Sequence, residues 1–225
     1  MNFLPDKSKS GTMGAMKHVD DLIVRYPRLE VCREDIVKAF DVLSEAFATG
    51  GKLLVCGNGG SSSDSEHIVG ELMKGFCLKR GLPPARVEAL KAIDSGMGAV
   101  LAGSLQEALP AICLTGHASL TTAFMNDVDA DLAFAQQVNG YGRENDVFLG
   151  ISTSGNSRNV CYAAVTARAK GLKVIGLTGE RKSRLTEFAD VCIRVPATET
   201  YKVQELHLPV YHCLCLMLEE RFFGE

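Results

Sequence analysis

Residues 53–72 of the chain read LLVCGNGGSSSDSEHIVGEL. The first four residues are apolar and typical of a strand. A glycine-rich turn follows them, and residues with hydroxyl side chains then begin a helical pattern. The start of such a helix offers free backbone amides and the positive end of the helix dipole to an anion. Within this helix His67 and Glu71 are one turn apart and therefore lie on the same face. The stretch predicts a strand, an anion-binding loop and a pair of chemically active side chains in one unit.

The glycines of this loop do not form a nucleotide-binding fingerprint. Gly57-Asn58-Gly59-Gly60 does not satisfy the pattern G-x-G-x-x-G, and no Gly-Lys-Ser or Gly-Lys-Thr follows it. We therefore expect no nucleotide cofactor, and a nucleotide-dependent α/β enzyme is a remote alternative.

Short apolar runs alternate with helical patterns through the rest of the chain. Strands are predicted at residues 52–56, 110–115, 146–151, 173–177 and 191–195. This alternation indicates right-handed βαβ units and a parallel sheet with helices on both faces. The predicted fold class is α/β, a three-layer sandwich with a doubly wound, flavodoxin-like parallel sheet and extra N-terminal helices.

Helical patterns also lie at both ends of the chain. Two amphipathic helices are predicted within residues 15–23 and 36–47, and a long apolar helix closes the chain from about residue 201 to 223. The first two helices could cover one face of the sheet or pair with a neighbouring copy. The length of 225 residues suits one domain, with N-terminal helices in residues 1–50 and an α/β core in residues 51–225.

Composition excludes several classes of protein. The net charge of −3 comes without basic clusters, so we expect no nucleic-acid partner. No apolar run is long enough to span a membrane and the N-terminus does not read as a secretory signal, which predicts a cytoplasmic location. The eight cysteines form no C-x-x-C pair, and six of them lie in apolar runs, so we interpret them as reduced core residues.

A second hydroxyl-rich loop connects the predicted strand 146–151 to the helix that follows it. Ser152, Thr153, Ser154 and Ser157 surround this turn and, together with helix amides, would suit a phosphate monoester. The alternative is that these side chains only cap the helix. Because two such loops occur in one chain, and because ligands of open α/β sheets sit at the carboxyl ends of strands, we favour phosphate binding.

The closing helix carries three polar side chains that need partners if they are buried, namely Gln204, His207 and His212. Satisfied core histidines, and a solvated helix face for His67 and Glu71, are the alternatives. If both helices line one pocket, His67, Glu71, Gln204 and His212 are ligands that a divalent transition metal accepts. Gln204 and His212 are about 12 Å apart along an ideal helix. One ion would therefore lie between them at full reach, or they serve sites in different subunits.

Taken together, six motifs resemble those of the phosphoheptose isomerases, a family of sugar isomerase (SIS) domain proteins. The likeness runs in the same order from about residue 30 to the end of the chain. The motifs are Cys56-Gly57-Asn58-Gly59-Gly60-Ser61, His67-x-x-x-Glu71-Leu72, Asn126-Asp127, Gly150-Ile151-Ser152-Thr153-Ser154-Gly155-Asn156-Ser157, Leu177-Thr178-Gly179 and Gln204-Glu205-Leu206-His207-(x)4-His212.

This resemblance implies a single SIS-type domain and a cytoplasmic homotetramer that interconverts sedoheptulose 7-phosphate and D-glycero-D-manno-heptose 7-phosphate. It assigns Glu71 as the base and His212 as the acid, and it implies zinc held by His67, Glu71, Gln204 and His212. The substrate contacts implied are Asn58, Gly59, Gly60, Ser61, Asn126, Asp127, Ser152, Thr153, Ser154, Ser157 and Gln204.

The chain departs from the family between residues 78 and 109. Glycines and prolines weaken the helical periodicity there, and we expect a loop with one or two short helices that reshapes the mouth of the pocket. The main alternative function is a non-catalytic phosphosugar-binding regulator or adaptor. Such a protein needs the serine loop but not Glu71 and His212, and the presence of both favours an enzyme.

Overall fold

The computed structural model describes residues 10–224, with side chains from residue 14 onward. The two ends of the predicted 1–225 domain, residues 1–9 and 225, lie outside the described residues. No helix within the described range is long and apolar enough to cross a membrane.

A five-stranded parallel sheet forms the centre of the molecule. Its strands lie in the order β2-β1-β3-β4-β5, the flavodoxin-like arrangement. The strands are β1 Leu53–Cys56, β2 Ala111–Cys113, β3 Val147–Ile151, β4 Lys173–Gly179 and β5 Val191–Val195. The predicted fold class is therefore confirmed, and all five strands lie where the apolar runs placed them.

Helices cover both faces of this sheet. They are α1 Ser10–Arg25, α2 Arg33–Ala48, α3 Gly60–Met73, α4 Pro84–Ile93, α5 Ser95–Ser104, α6 Ala118–Asp127, α7 Ala133–Tyr141, α8 Arg158–Ala169, α9 Arg184–Phe188 and α10 Thr200–Phe223. Two short 3-10 turns occupy Pro27–Cys32 and Ala130–Leu132. One apolar core lies between the sheet and α1, α2, α3 and α10, and the other lies between the sheet and α7, α8 and α9.

The alternation of side chains along β1 explains how one strand serves both cores. Leu53 and Val55 face the first core, and Leu54 and Cys56 face the second. All four are buried, as expected for a parallel strand that is covered on both sides.

The two N-terminal helices pack within their own chain, α2 against the sheet and α1 against α10. Covering of the sheet is therefore confirmed for α2, and pairing with a neighbouring copy stays a prediction. In α1 the side chains of Val19 and Leu22 are buried where this helix packs on α10. In α2 the side chains of Phe40 and Phe47 are buried, and Phe47 meets Phe222 of α10 edge to face.

The segment 78–109 folds into two helices of ten residues each, α4 and α5, which pack on each other. We call α4 and α5 the insertion hairpin. No residue of α4 is buried, and Gly98 is the buried residue of α5. The hairpin therefore lies outside both cores. An isolated antiparallel bridge between Gly81 and Gln106 closes its base.

The eight cysteines, all within the described residues, form no disulfide. Burial raises the pKa of the thiols of Cys56 and Cys215, as expected for inert core cysteines. Cys77 differs from them because it is exposed.

Candidate active site

The two hydroxyl-rich loops meet at one point of the sheet edge. Cys56 at the end of β1 pairs with Gly150 of β3, so the loops that follow these two strands are neighbours. The chain then leaves β1 towards one face of the sheet, through α3, and leaves β3 towards the other, through α8. Such a reversal opens a crevice at the carboxyl ends of the strands, where α/β proteins bind ligands.

Two amide side chains join the loops across this crevice. Asn58 donates to Asn159 at 2.9 Å, and Asn159 donates back to Asn58 at 2.8 Å. Asn159 lies in the first turn of α8, so this pair holds the first loop against the second helix.

The first loop needs its glycines for steric reasons. Gly59 has φ of 55°, in the region that favours glycine. A Cβ atom on Gly60 would collide with the side-chain amide of Gln204 in α10. Ser61 is buried, and its amide donates to the carbonyl of Asn58 at 3.0 Å.

In the second loop the hydroxyl of Ser154 accepts from the amide of Asn156 at 3.1 Å, whereas those of Ser152 and Ser157 bond to each other. Ser157 is the N-cap residue of α8 but makes no capping hydrogen bond. Its hydroxyl lies 3.0 Å from that of Ser152. Gly155 has φ of 66° and packs tightly on Ser183. The capping explanation therefore does not account for Ser157.

Several backbone amides of both loops point to no acceptor among the residues that the structure describes. They belong to Gly59, Gly60, Thr153, Ser154 and Ser157. Free amides at the starts of two helices, beside serine and threonine hydroxyls, are the groups that bind a phosphate.

A second cluster lies further along α3, about 10 Å from the first loop at the rise of an α-helix. His67 Nε2 lies 3.1 Å from Glu71 Oε1, and Lys74 donates to the other oxygen of Glu71 at 3.1 Å. The side chain of Glu71 is only 13% exposed, whereas that of His67 is 42% exposed. The pair is therefore not simply a solvated helix face.

His212 of α10 completes this cluster. Its ring centroid is 4.9 Å from that of His67 and 5.5 Å from that of Phe76. Burial lowers the pKa of His212, and the nearby His67 lowers it further. The Nε2 atom of His212 is buried without a hydrogen-bond partner in the described part of the chain. A neutral imidazole with a free nitrogen can exchange a proton with a ligand or bind a metal ion.

Gln204 lies at the other end of the site. Helices α3 and α10 run side by side in the same direction, with Gly60 beside Gln204 and His67 beside Tyr211 and His212. Gln204 therefore faces the first loop rather than the histidines, and the four predicted zinc ligands do not converge within one chain.

The donor types of this cluster nevertheless suit a transition metal. His67 Nε2 and Glu71 Oε1 are adjacent, and the free Nε2 of His212 is a further candidate ligand. Among the described side chains, however, no three histidine, cysteine, aspartate or glutamate residues are arranged to hold an ion. The ligand set stays a prediction.

Asn126 and Asp127 lie apart from these groups. Both are exposed at the end of α6, where Asn126 donates to Asp127 at 2.8 Å. Within residues 10–224 neither side chain forms a hydrogen bond with the two loops. Their predicted contact with a substrate is untested.

The structure adds polar residues that the sequence did not single out. Asp64 and Tyr211 extend the His67 cluster, since Tyr211 donates to Asp64 at 3.3 Å and lies 3.0 Å from His67 Nδ1. Burial raises the pKa of Asp64, and the hydrogen bond from Tyr211 opposes this effect. The spacing of Asp64, His67 and Glu71 places all three on one helix face, and this pattern could have pointed to Asp64.

His207 is a core residue whose ring lies near the backbone of Thr178 without forming a well-aligned hydrogen bond. Both of its ring nitrogens are buried without a hydrogen-bond partner among the described atoms. Burial lowers the pKa of His207 to about 4, and the nearby backbone of Thr178 offsets this only in part.

Comparison with known proteins relates this arrangement to a family. Two sequence profiles, both described as SIS domain, match residues 27–97 and 110–217. A phosphoheptose isomerase from Rhodospirillum rubrum is 39% identical over 193 residues, covering 86% of this chain and 89% of that protein. One from Geotalea daltonii is 38% identical over 190 residues, covering 84% and 85%. The solved structure of a phosphoheptose isomerase from Francisella tularensis aligns with a TM-score of 0.70 and 29% identity, over 95% of this chain and 96% of that one. The similarity extends over most of each chain.

Proposed function

Because the chain belongs to the phosphoheptose isomerase family of SIS domain proteins, we propose that it interconverts sedoheptulose 7-phosphate and D-glycero-D-manno-heptose 7-phosphate. It is a phosphosugar isomerase, an enzyme that converts a ketose phosphate into an aldose phosphate and back. A cytoplasmic location stays a prediction from the sequence.

One observation carries this proposal. The two loops with free amides and hydroxyl groups lie at one end of α3, and the cluster of His67, Glu71 and His212 lies further along the same helix. An extended ligand can therefore place its phosphate on the loops and its carbonyl end beside ionisable groups. Binding energy from the phosphate would then position the reacting carbons.

In the proposed reaction a proton moves between two adjacent carbons through an enediol. Glu71 takes the proton from carbon, and His212 exchanges a proton with the oxygens. The lowered pKa of His212 supports this role, because a neutral imidazole can both accept and donate a proton. Glu71 returns its proton to the neighbouring carbon to complete the isomerisation.

We also propose zinc as the cofactor, held by His67, Glu71 and His212 of one subunit and by Gln204 of another. A bound zinc ion would polarise the carbonyl of the sugar. The neighbouring donor atoms of His67 and Glu71 support this ligand set. Removal of metal with EDTA should lower the rate, and added zinc should restore it. An EDTA-treated enzyme with full activity and no bound metal would contradict the cofactor assignment.

A homotetramer is the proposed assembly. The separation of Gln204 from His212 supports it, since copies of the site in different subunits could use them separately. Exposed apolar side chains on α5 and α6, among them Met97, Val100 and Met125, would be covered by such an assembly. Light scattering should then give a mass near four times 24.2 kDa. A monomer at micromolar concentration would contradict this assembly.

The alternative of a non-catalytic phosphosugar-binding regulator finds no support in these relatives, which are described as isomerases. To test the activity, the protein is incubated with sedoheptulose 7-phosphate in deuterium oxide and the sugar is followed by NMR. Isomerisation should give an aldose phosphate and bring deuterium onto carbon. Binding without exchange or conversion would refute the proposed reaction for this substrate.

Replacement of the base gives a sharper test. Glu71→Gln should reduce kcat by about 10²- to 10⁴-fold, the usual contribution of a general base, because the amide cannot accept the carbon-bound proton. Substrate affinity measured by calorimetry should change little, since the phosphate loops are intact. Glu66→Gln, the same substitution on an exposed residue of α3, is the matched control and should keep wild-type kcat. A Glu71→Gln enzyme with near-normal kcat would rule out this base.

A further inference from the structure

Four side chains from two helices form one continuous hydrogen-bonded chain. The hydroxyl of Tyr211 donates to Asp64 Oδ1 at 3.3 Å and lies 3.0 Å from His67 Nδ1. The other ring nitrogen of His67 lies 3.1 Å from Glu71 Oε1. Tyr211 is 2% exposed, so its hydroxyl has little access to water as an alternative partner.

The direction of these hydrogen bonds follows from the chemistry of the groups. Asp64 Oδ2 is buried without a partner among the described atoms, so the Tyr211 hydroxyl is the side-chain partner of this carboxyl group. With Asp64 ionised, as a carboxyl group ordinarily is at neutral pH, it can only accept, and the single hydroxyl hydrogen of Tyr211 goes to Asp64. The oxygen of Tyr211 is then left as an acceptor, and His67 must offer it an N–H group. A tyrosine hydroxyl carries its hydrogen at neutral pH. The hydrogen of a neutral His67 ring therefore belongs on Nδ1.

We propose that Tyr211, held in place by Asp64, is a positioning residue that keeps the ring hydrogen of His67 on Nδ1 and leaves Nε2 unprotonated beside Glu71. The inference deepens the proposed function, since His67 and Glu71 belong to the same site.

A fixed tautomer has two consequences for Glu71. If Nε2 carried the hydrogen, it would donate to Glu71 Oε1 and occupy an oxygen of the proposed base. With the hydrogen on Nδ1, Nε2 and Glu71 Oε1 are two acceptors 3.1 Å apart, which a shared proton or a metal cation can bridge. Histidine ligands of metals are commonly oriented in this way, through a hydrogen bond from the second ring nitrogen.

The hydrogen on His67 can be observed directly by NMR. Protein labelled with 15N in its five histidines gives long-range nitrogen–proton spectra that separate a protonated ring nitrogen from an unprotonated one. The His67 signals are assigned by their loss in His67→Gln. We expect Nδ1 to be protonated in the wild-type protein, both as purified and after EDTA treatment. An unprotonated Nδ1 would overturn the proposal whether or not the protein isomerises any sugar.

Tyr211→Phe removes one hydroxyl and keeps the ring that packs against His67 and His212. The His67 signals should then shift towards the other tautomer. Loss of a group that orients a ligand costs about 10- to 100-fold, so we expect kcat to fall by that factor with KM changed less than about threefold. Unchanged His67 signals in this variant would overturn the proposal, even if kcat falls.

The chain offers a matched control. Tyr141 packs against the core on the opposite face of the sheet from α3 and α10, and its hydroxyl lies 3.2 Å from His117 Nε2. Tyr141→Phe should leave the His67 signals and kcat unchanged. Asp64→Ala is the second variant: it frees the Tyr211 hydroxyl to donate to His67 Nδ1, so it should move the hydrogen of His67 to Nε2. An Asp64→Ala protein that keeps the wild-type tautomer would also refute the proposal.

Discussion

At the scale of single residues, His207 is the clearest example of a side chain whose ionisation is controlled by burial. Its ring is fully buried in α10, and burial lowers its pKa to about 4. In the unfolded chain a histidine has a pKa of about 6.5. Between these two pH values the unfolded chain binds a proton that the folded protein does not bind, so the unfolding free energy decreases as the pH falls.

This difference predicts the effect of His207→Leu on acid stability. Wild-type protein should lose about 3 kcal/mol of unfolding free energy through His207 between pH 6.5 and pH 4, and the variant should not lose this contribution. Urea unfolding of both proteins at pH 7.5, 5.5 and 4 measures the difference. The comparison at pH 7.5, where the ring is neutral in both states, isolates the change in packing. Parallel pH profiles for the two proteins would contradict the assignment.

At this scale the sequence predicts which functional side chains lie together when those residues are close to each other along the chain. Ser152 and Ser157 lie in one loop, and His67 and Glu71 lie one turn apart, so their proximity follows from local geometry. Tyr211 was missed because its partner Asp64 is 147 positions away. Which residues of α3 and α10 lie opposite each other depends on how the two helices pack in the core. No local sequence pattern specifies this alignment.

At the scale of elements, a buried ion pair fixes the end of α3. Glu219 of α10 accepts hydrogen bonds from Arg80 and from the backbone amides of residues 76–78. Arg80 also donates to the carbonyls of Leu72 at 2.8 Å and Glu71 at 3.1 Å. These carbonyls lie in the last turn of α3, where a cation is favourable. The catalytic helix, the base of the insertion hairpin and α10 are thereby joined at one point.

We expect Glu219→Gln to destabilise the protein strongly. The side chains of Arg80 and Glu219 are at most 1% exposed, and the loss of one partner leaves a buried charge uncompensated, at a cost of about 3 to 5 kcal/mol. Denaturant unfolding should report this loss as a lower midpoint with an unchanged slope. Glu199→Gln breaks an exposed ion pair with Lys202 and should leave the midpoint unchanged. Equal midpoints for Glu219→Gln and wild type would show that the pair contributes no net stability.

At the scale of the whole molecule, the sequence was sufficient to predict the sheet and its helices. Val191–Val195 coincides with a predicted strand, and the other strands differ from their predictions by at most two residues at an end. The segment 78–109 was harder because glycines interrupt the periodicity of α5, as at Gly96, Gly98 and Gly103. The two helices there pack on each other rather than on a core, so amphipathic patterning gave little signal.

This arrangement predicts that the insertion hairpin can be removed without loss of the fold. Residues 82–105 are replaced by Asn-Gly, which joins the bridged positions Gly81 and Gln106 by a tight turn. Because almost no residue of α4 or α5 is buried, the variant should keep its cooperative transition. Its midpoint should be lower than that of the wild type, since the buried Glu107 loses its ion pair with Arg86. Circular dichroism should lose signal equivalent to two ten-residue helices.

A second variant separates folding from association. Exchange of Ile93, Met97, Val100 and Leu101 for serine keeps the hairpin and removes its large exposed apolar side chains. If these side chains serve only subunit contacts, both variants should change the mass measured by light scattering and keep the cooperative transition. A hairpin deletion that yields unfolded protein would instead place the hairpin in the cooperative core.

The pair of amides that joins Asn58 to Asn159 gives the crevice a property of its own. Each side chain donates one N–H to the oxygen of the other, at 2.9 and 2.8 Å, and Asn159 Oδ1 also accepts from the amide of Val160 at 3.0 Å. An asparagine amide has a second N–H and a second oxygen lone pair, and for Asn58 neither is used by another described residue. A sugar hydroxyl can therefore bind Asn58 while the two amides stay joined. Ligand binding at this position does not require the connection between the first loop and α8 to open.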